Sequence, residues 1–164
     1  MTRLLILCTG NSARSILGEV LFNALGQGRI QAVSAGSQPK DEPHPLALET
    51  LAVHGHETAG LRSKSWDEFA GPDAAHVDGV ITVCDSAAAE SCPIWPGAPV
   101  SVHWGLPDPA GIKDEAAARA AFETTYQALR KRIERVVNAA GLDDPATLKA
   151  VLTEAHEKES GDHV

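Results

Sequence analysis

A cysteine and an arginine near the start of the chain are separated by five residues, in the segment Cys8-Thr9-Gly10-Asn11-Ser12-Ala13-Arg14-Ser15. A loop of this length can curl around one tetrahedral oxyanion, with its successive backbone N–H groups forming a concave anion site. The Arg14 guanidinium can bind two oxygens at once, whereas a lysine would supply only a point charge. A helix N-terminus and a neighbouring cation also favour the ionised form of a cysteine thiol. The segment therefore predicts Cys8 as a thiolate nucleophile and residues 9–14 as an oxyanion-binding loop.

The residue types inside this loop suit such a site. Gly10 and Asn11 tolerate a left-handed backbone, and the Ser15 hydroxyl can donate a hydrogen bond to the thiolate or to the leaving sulfur. The Gly-Lys-Ser/Thr sequence of a nucleotide-binding loop does not follow, so the segment is not predicted to bind a nucleotide. The alternative is a buried cysteine at a strand end followed by an ordinary polar turn.

A proton donor for a leaving group is predicted at Asp108, which precedes Pro109 in a second loop. An Asp-Pro pair alone is a common turn signal. In a chain that also carries the C-x5-R loop, we interpret Asp108 as a general acid.

Alternating strands and helices bring both loops to one edge of a sheet. Short apolar runs predict strands at 3–8, 30–34, 79–84 and 99–103, and helical spacing predicts helices at 15–25, 43–54, 66–69 and 114–140. This order is typical of an α/β fold with a parallel sheet flanked by helices on both faces. Residues 1–141 are predicted to form one domain, and residues 142–164 a charged helical or disordered C-terminal tail.

The composition excludes several classes of partner. The 164 residues include 14 Lys and Arg against 22 Asp and Glu, a formal net charge of −8, which argues against nucleic acid and anionic membranes. The absence of a long apolar stretch or a signal-peptide core predicts a cytoplasmic protein. Three cysteines in that reducing compartment indicate chemistry rather than structural disulfides. The seven histidines lack metal-ligand spacing, so no metal site is predicted.

Two segments, CTGNSARS and HWGLPDPA, together resemble the arsenate reductases that share the fold of the low-molecular-weight tyrosine phosphatases. The resemblance covers about residues 1–140, and the further stretch VCDSAAAESCPIWPG favours the reductases. It implies a four-stranded parallel sheet, Cys8 as nucleophile, Arg14 as oxyanion ligand and Asp108 as acid. The implied activity is reduction of arsenate to arsenite in arsenic detoxification, with phosphate and sulfate competing for the loop.

The resemblance also implies a redox role for Cys84 and Cys92. In thioredoxin-coupled relatives, two such cysteines pass a disulfide from the nucleophile to the reductant. The spacing here is slightly wider than in those relatives, so thioredoxin and glutathione with glutaredoxin both stay open as the external thiol reductant. No tightly bound cofactor is expected. The alternative is that Cys84 is a core residue at a strand end and Cys92 is a loop thiol, and that neither has a redox role.

Four polar residues resemble a potassium site of the thioredoxin-coupled reductases: Asn11, Glu19, Ser34 and Asp67. Oxygen ligands suit a hard cation, which would steady the loop. The alternative is a set of solvated polar residues with one helix-facing glutamate.

Two other functions stay open. Asp108-Pro109 is followed by Ala110-Gly111-Ile112, without the aromatic side chains that would hold an aryl ring. We therefore expect weak residual phosphatase activity, with a phosphatase acting on phosphotyrosine or small phosphate esters as the alternative. A non-catalytic oxyanion-binding module is the other alternative, but it would need neither Asp108 nor a reactive Cys8.

Overall fold

The computed structural model describes residues 2–70, 76–83, 99–107 and 109–161. A four-stranded parallel sheet in the order β2-β1-β3-β4 forms its centre. The strands are β1 (Thr2–Cys8), β2 (Ile30–Gly36), β3 (Gly79–Thr82) and β4 (Val100–His103). The predicted fold class, an α/β fold with a four-stranded parallel sheet, is confirmed.

The central strand β1 is apolar on both faces. Leu4 and Ile6 pack into the larger core cluster, whereas Leu5 and Leu7 pack into a smaller cluster on the opposite face. A strand that is buried on both sides appears in a sequence as a continuous apolar run. The position of β1 inside the sheet follows from that run.

Helical segments cover both faces of the sheet. The described α-helices are α1 (Arg14–Gly26), α2 (Pro45–Val53), α3 (Glu115–Val137) and α4 (Pro145–Gly161), and 3-10 helices lie at Trp66–Phe69 and Pro109–Gly111. All four α-helices contribute to the larger cluster, and Trp66 and Phe69 pack against the smaller one. In the described ranges, no helix combines the length and apolar character needed to cross a membrane.

The second helix begins later than the predicted residue 43. His44 is the N-cap of α2, and its Nδ1 accepts a hydrogen bond from the Leu46 N–H at 3.1 Å. Pro45 occupies the first helical position, where its missing N–H costs nothing. The cap therefore sets the start of α2 at Pro45.

The helix α4 lies in the segment predicted as a tail and shares the main core. Its residues Leu148, Leu152 and Ala155 belong to the larger cluster. The Trp104 indole Nε1 donates a hydrogen bond to the Leu152 carbonyl oxygen at 2.9 Å. The division at residue 141 stays a prediction, but these contacts join α4 to the segment that follows β4.

Candidate active site

The C-x5-R loop connects β1 to α1 at the carboxyl edge of the sheet. β1 lies between β2 and β3, so the chain continues to β2 on one side of β1 and later to β3 on the other side. The end of β1 is therefore the point at which the strand order reverses. Ligands of open α/β sheets bind at such switch points. The N-cap of α1 is Ala13, which has no side-chain acceptor for the first helical N–H groups. This helix end is therefore suited to an anion.

The carbonyl groups of the loop point outward. Four consecutive carbonyl oxygens accept hydrogen bonds from groups outside the loop: Thr9 O from Gln38 N at 3.0 Å, Gly10 O from Lys40 N at 2.9 Å, Asn11 O from Ser63 Oγ at 2.6 Å and Ser12 O from His44 N at 2.9 Å. The C=O and N–H groups of a trans peptide point in opposite directions. The N–H groups of residues 10–13 therefore face the inside of the loop, as an oxyanion requires.

A chain of hydrogen bonds leads from Asn11 to the Cys8 sulfur. Cys8 is 4% exposed, and its Sγ lies 2.9 Å from Ser15 Oγ. Asn11 Nδ2 donates to the same Oγ at 2.7 Å, so the hydroxyl can direct its own hydrogen to the sulfur. Asn11 Oδ1 accepts the backbone N–H of Lys64 at 2.8 Å, which sets the orientation of the amide. This arrangement favours a thiolate at Cys8.

The two residues expected to tolerate a left-handed backbone have different roles. Asn11 adopts it, with φ of 45°, whereas Gly10 does not. A Cβ at Gly10 would lie 3.3 Å from the Cε atom of Lys40. Gly10 is therefore not required by a left-handed turn, and its missing side chain leaves room for the exposed Lys40 side chain to lie against the loop.

The Arg14 guanidinium connects the loop to two other segments. Its Nη1 donates to the Leu106 carbonyl oxygen at 2.7 Å and to the Val83 carbonyl oxygen at 3.4 Å. Val83 follows β3, and Leu106 follows β4. Arg14 is therefore anchored where three adjacent strands end, with its planar fork held in a defined direction.

Replacing Arg14 with lysine is expected to weaken phosphate binding by about tenfold or more, because lysine keeps the charge but loses hydrogen bonds of roughly 1.5–3 kcal/mol to the oxyanion. Calorimetric titration with inorganic phosphate measures this effect. Arg29→Lys is the matched control, since Arg29 precedes β2 at the amino ends of the strands, away from the loop. Its guanidinium donates to the Val137 carbonyl oxygen. Equal dissociation constants for the unmodified protein and Arg14→Lys would remove Arg14 from the anion site.

Gly36, at the end of β2, belongs to the site, although no motif in the sequence marks it as a site residue. A Cβ there would lie 2.4 Å from Thr9 O, 2.9 Å from Cys8 O and 3.0 Å from Asn11 N. All three are backbone atoms, so the loop approaches β2 this closely because position 36 has no side chain. In the sequence, the Ala35-Gly36 pair indicates only the end of a strand.

Three of the predicted site residues lie outside the described residues: Asp108, Cys84 and Cys92. Their roles as general acid and relay thiols therefore stay predictions.

Two of the four candidates for a potassium site contact each other, and the other two have different surroundings. Ser34 Oγ donates to Glu19 Oε1 at 2.9 Å, Asp67 is exposed, and Asn11 makes the contacts given above. The Lys64 ammonium lies 3.6 Å from Glu19 Oε1, a contact that no sequence pattern indicates. In the part of the chain that the structure describes, no group of three or more His, Cys, Asp or Glu side chains could hold a metal ion.

Comparisons with known proteins agree with this geometry. Residues 3–149 match the family model for low molecular weight phosphotyrosine protein phosphatase. The arsenate reductase of Bacillus licheniformis is 34% identical over 132 residues, which cover 79% of this chain and 90% of the relative. The glutaredoxin arsenate reductase of Synechocystis sp. is 27% identical over 137 residues, covering 84% and 97%.

A solved structure gives the same relationship. The crystal structure of arsenate reductase from Archaeoglobus fulgidus matches with a TM-score of 0.64 and 29% identity, and the match covers 83% of this chain and 99% of that chain. The chain belongs to the low molecular weight phosphotyrosine protein phosphatase family and, within it, to the arsenate reductases.

Proposed function

We propose that this protein reduces arsenate to arsenite at the C-x5-R loop, with Cys8 as the nucleophile. The observation that carries the proposal is the loop geometry, in which the carbonyls point outward and Cys8 Sγ contacts Ser15 Oγ at 2.9 Å. Membership of the arsenate reductases supports arsenate as the oxyanion. The biological role would be arsenic detoxification in the cytoplasm, where thiols stay reduced.

The reaction requires two thiols and one proton donor. The Cys8 thiolate attacks arsenic, an As–S bond forms, and one arsenate oxygen leaves as water with a proton from Asp108. A second thiolate, from Cys84 or Cys92, then attacks Cys8 Sγ. A disulfide forms, the electron pair of the As–S bond moves to arsenic, and As(V) becomes As(III). Arsenite leaves, and an external dithiol reduces the disulfide.

The described residues would assist both sulfur steps. Inward N–H groups and Arg14 would hold the arsenate oxygens while the As–S bond forms. The Ser15 hydroxyl, which contacts the Cys8 sulfur, would stabilise negative charge on that sulfur before the first attack. The anchored guanidinium of Arg14 would keep the oxyanion in line with the attacking sulfur.

The external reductant is proposed to be thioredoxin, or glutathione with glutaredoxin. Two cysteines besides Cys8 permit an internal relay that ends in a disulfide for thioredoxin to reduce. The name of the Synechocystis relative supports the second route, in which a solution thiol would replace one internal thiol.

A weak phosphatase activity is proposed as a side reaction, because a phosphate ester presents similar tetrahedral oxygens to the loop. A cavity of about 310 Å³ lies beside Pro109–Gly111, lined by Leu106, Pro107 and Ile112 together with alanine and threonine side chains of α3. Among the residues that the structure describes, none that lines this cavity is aromatic. An aryl group would therefore gain little stacking there, which favours small oxyanions over phosphotyrosine.

The unmodified protein is expected to release arsenite from arsenate in a reconstituted thioredoxin system or in a glutathione and glutaredoxin system. Cys92→Ala should lose most thioredoxin-dependent turnover but keep the first attack by Cys8, because the relay thiols act only after the As–S bond forms. Chromatographic assay of arsenite measures turnover. Mass spectrometry of the oxidised protein identifies the cysteines that are joined.

Cys84→Ala is the matched variant for this experiment. Full multiple turnover in both alanine variants would exclude the internal relay and assign resolution to a solution thiol. Hydrolysis of phosphotyrosine and of p-nitrophenyl phosphate is measured on the same preparations. Efficient phosphotyrosine hydrolysis without any arsenite would replace the reductase proposal with a phosphatase.

A further inference from the structure

Lys64 places a buried ammonium group beside the helix that begins at the oxyanion loop. The Lys64 and Glu19 side chains are only 8% and 14% exposed, and Lys64 Nζ lies 3.6 Å from Glu19 Oε1. Nζ also donates to the Arg62 carbonyl oxygen at 2.8 Å, and Glu19 Oε1 accepts the Ser34 hydroxyl. Burial lowers the pKa of the Lys64 ammonium, and the Glu19 carboxylate opposes that shift. The lysine thus has the anionic partner that a buried cation requires.

The backbone of the same segment holds the loop from outside. The Lys64 N–H donates to Asn11 Oδ1 at 2.8 Å, and Ser63 Oγ donates to Asn11 O at 2.6 Å. The amide of Asn11 in turn donates to Ser15 Oγ, which contacts the Cys8 sulfur. The ion pair with Glu19 therefore anchors the residue whose backbone orients the hydrogen bonds at Cys8.

The residues that resemble a potassium site do not fit a potassium ion in this chain. Asn11 Oδ1 already accepts the Lys64 N–H, and the Asp67 side chain lies on the surface, away from a buried cation site. Of the four, Glu19 and Ser34 contact each other. The Glu19 Oε1 atom that accepts the Ser34 hydroxyl also faces the Lys64 ammonium. A potassium ion at Glu19 would lie next to a second positive charge in a buried cluster, where the repulsion between them is poorly screened.

We propose that the Lys64 ammonium, paired with Glu19, takes the role beside the oxyanion loop that the resemblance assigns to potassium. In this role Lys64 positions Asn11 and, through Asn11, the Ser15 hydroxyl. Lys64 is a positioning residue, because it acts on Cys8 through these two side chains. The inference rests on the proposed function only in the choice of arsenate as assay substrate. Phosphate binding tests it separately.

The test compares the unmodified protein with Lys64→Ala and Lys64→Met, in KCl and in choline chloride at equal ionic strength. Calorimetry with inorganic phosphate gives the dissociation constant, and arsenite release gives kcat and KM. Alanine opens a space for a small cation beside Glu19, whereas methionine fills that space without a charge. Lys158→Ala is the surface control, since it breaks an exposed ion pair with Glu154 on α4.

The unmodified protein and Lys158→Ala should bind phosphate equally well in both salts. In choline chloride, Lys64→Ala should lose phosphate affinity by about tenfold or more, because one partner of a buried ion pair is removed. Potassium or ammonium ions should restore much of the affinity of Lys64→Ala but none of the affinity of Lys64→Met. A loss that is restored equally in both variants, or in neither, would overturn the proposal.

Two further outcomes would also overturn it: potassium activation of the unmodified protein, or unchanged phosphate affinity in Lys64→Ala without potassium. Thermal unfolding of each variant in the two salts provides a measurement that needs no activity. A potassium ion that binds the folded state of Lys64→Ala should raise its Tm with potassium concentration. Failure of every form to release arsenite would count against the proposed function but would leave the phosphate and Tm results intact.

Discussion

Cys8→Ser is expected to lower arsenate reduction by at least about 10³-fold, the scale seen when an enzyme loses its nucleophile. A serine hydroxyl is barely ionised near neutral pH, so the attack on arsenic is slow. An oxygen atom at this position also cannot form the disulfide that transfers two electrons to arsenic. Arsenite release under single-turnover and multiple-turnover conditions measures both effects.

Phosphate binding shows whether activity is lost because the nucleophile is missing or because the loop is disrupted. Cys8→Ser should still bind inorganic phosphate, because the inward N–H groups and Arg14 are unchanged. Ser15→Ala is the matched variant, since it keeps the nucleophile and removes the hydroxyl 2.9 Å from it. It should retain reduced activity, with its pH profile displaced to higher pH because the thiolate loses a hydrogen bond. Arsenate reduction by Cys8→Ser at more than a small fraction of the normal rate would make the nucleophile assignment wrong.

Gly36→Ala is expected to disrupt the oxyanion loop without changing any residue of the C-x5-R motif. The added Cβ would meet the backbone of Thr9, Cys8 and Asn11 at distances between 2.4 and 3.0 Å, so the loop must move away from β2. Gly36 does not have a positive φ, so the clash rather than the backbone conformation opposes alanine. We expect phosphate affinity to fall by at least about tenfold and the free energy of unfolding by about 1–3 kcal/mol, as for other overpacked sites.

Gly18→Ala is the matched control for this substitution. Gly18 is also buried, but it lies inside α1, and a Cβ there would make an ordinary contact of 3.5 Å with Ile6. Alanine in a helix interior is favoured over glycine by about 1 kcal/mol, so this variant should be as stable as the unmodified protein or more stable. Urea denaturation and phosphate calorimetry on both variants make the comparison. If Gly36→Ala bound phosphate normally and unfolded at the same urea concentration, the close approach of the loop to β2 would be incorrect.

The sequence determined the parts of this protein whose information is local. The apolar run that ends at Cys8 and the helical spacing after Arg14 predict a strand, a loop and a helix in that order. Topology rules for alternating elements then place the loop at the carboxyl edge of a parallel sheet. The C-x5-R spacing and the Asp-Pro loop were sufficient to indicate the family, because both are short motifs that can be read from neighbouring residues.

Only the tertiary structure decided how the loop is held. Gly36 and Lys64 contact it from segments far along the chain, and no sequence pattern links either residue to the loop. The prediction that Asn11 belongs to the oxyanion loop does not include the link that its side chain makes between Lys64 and Ser15. The physical reason is that periodicity and turn chemistry depend on neighbours in sequence, whereas a buried ion pair or a backbone approach depends on which distant segments pack together.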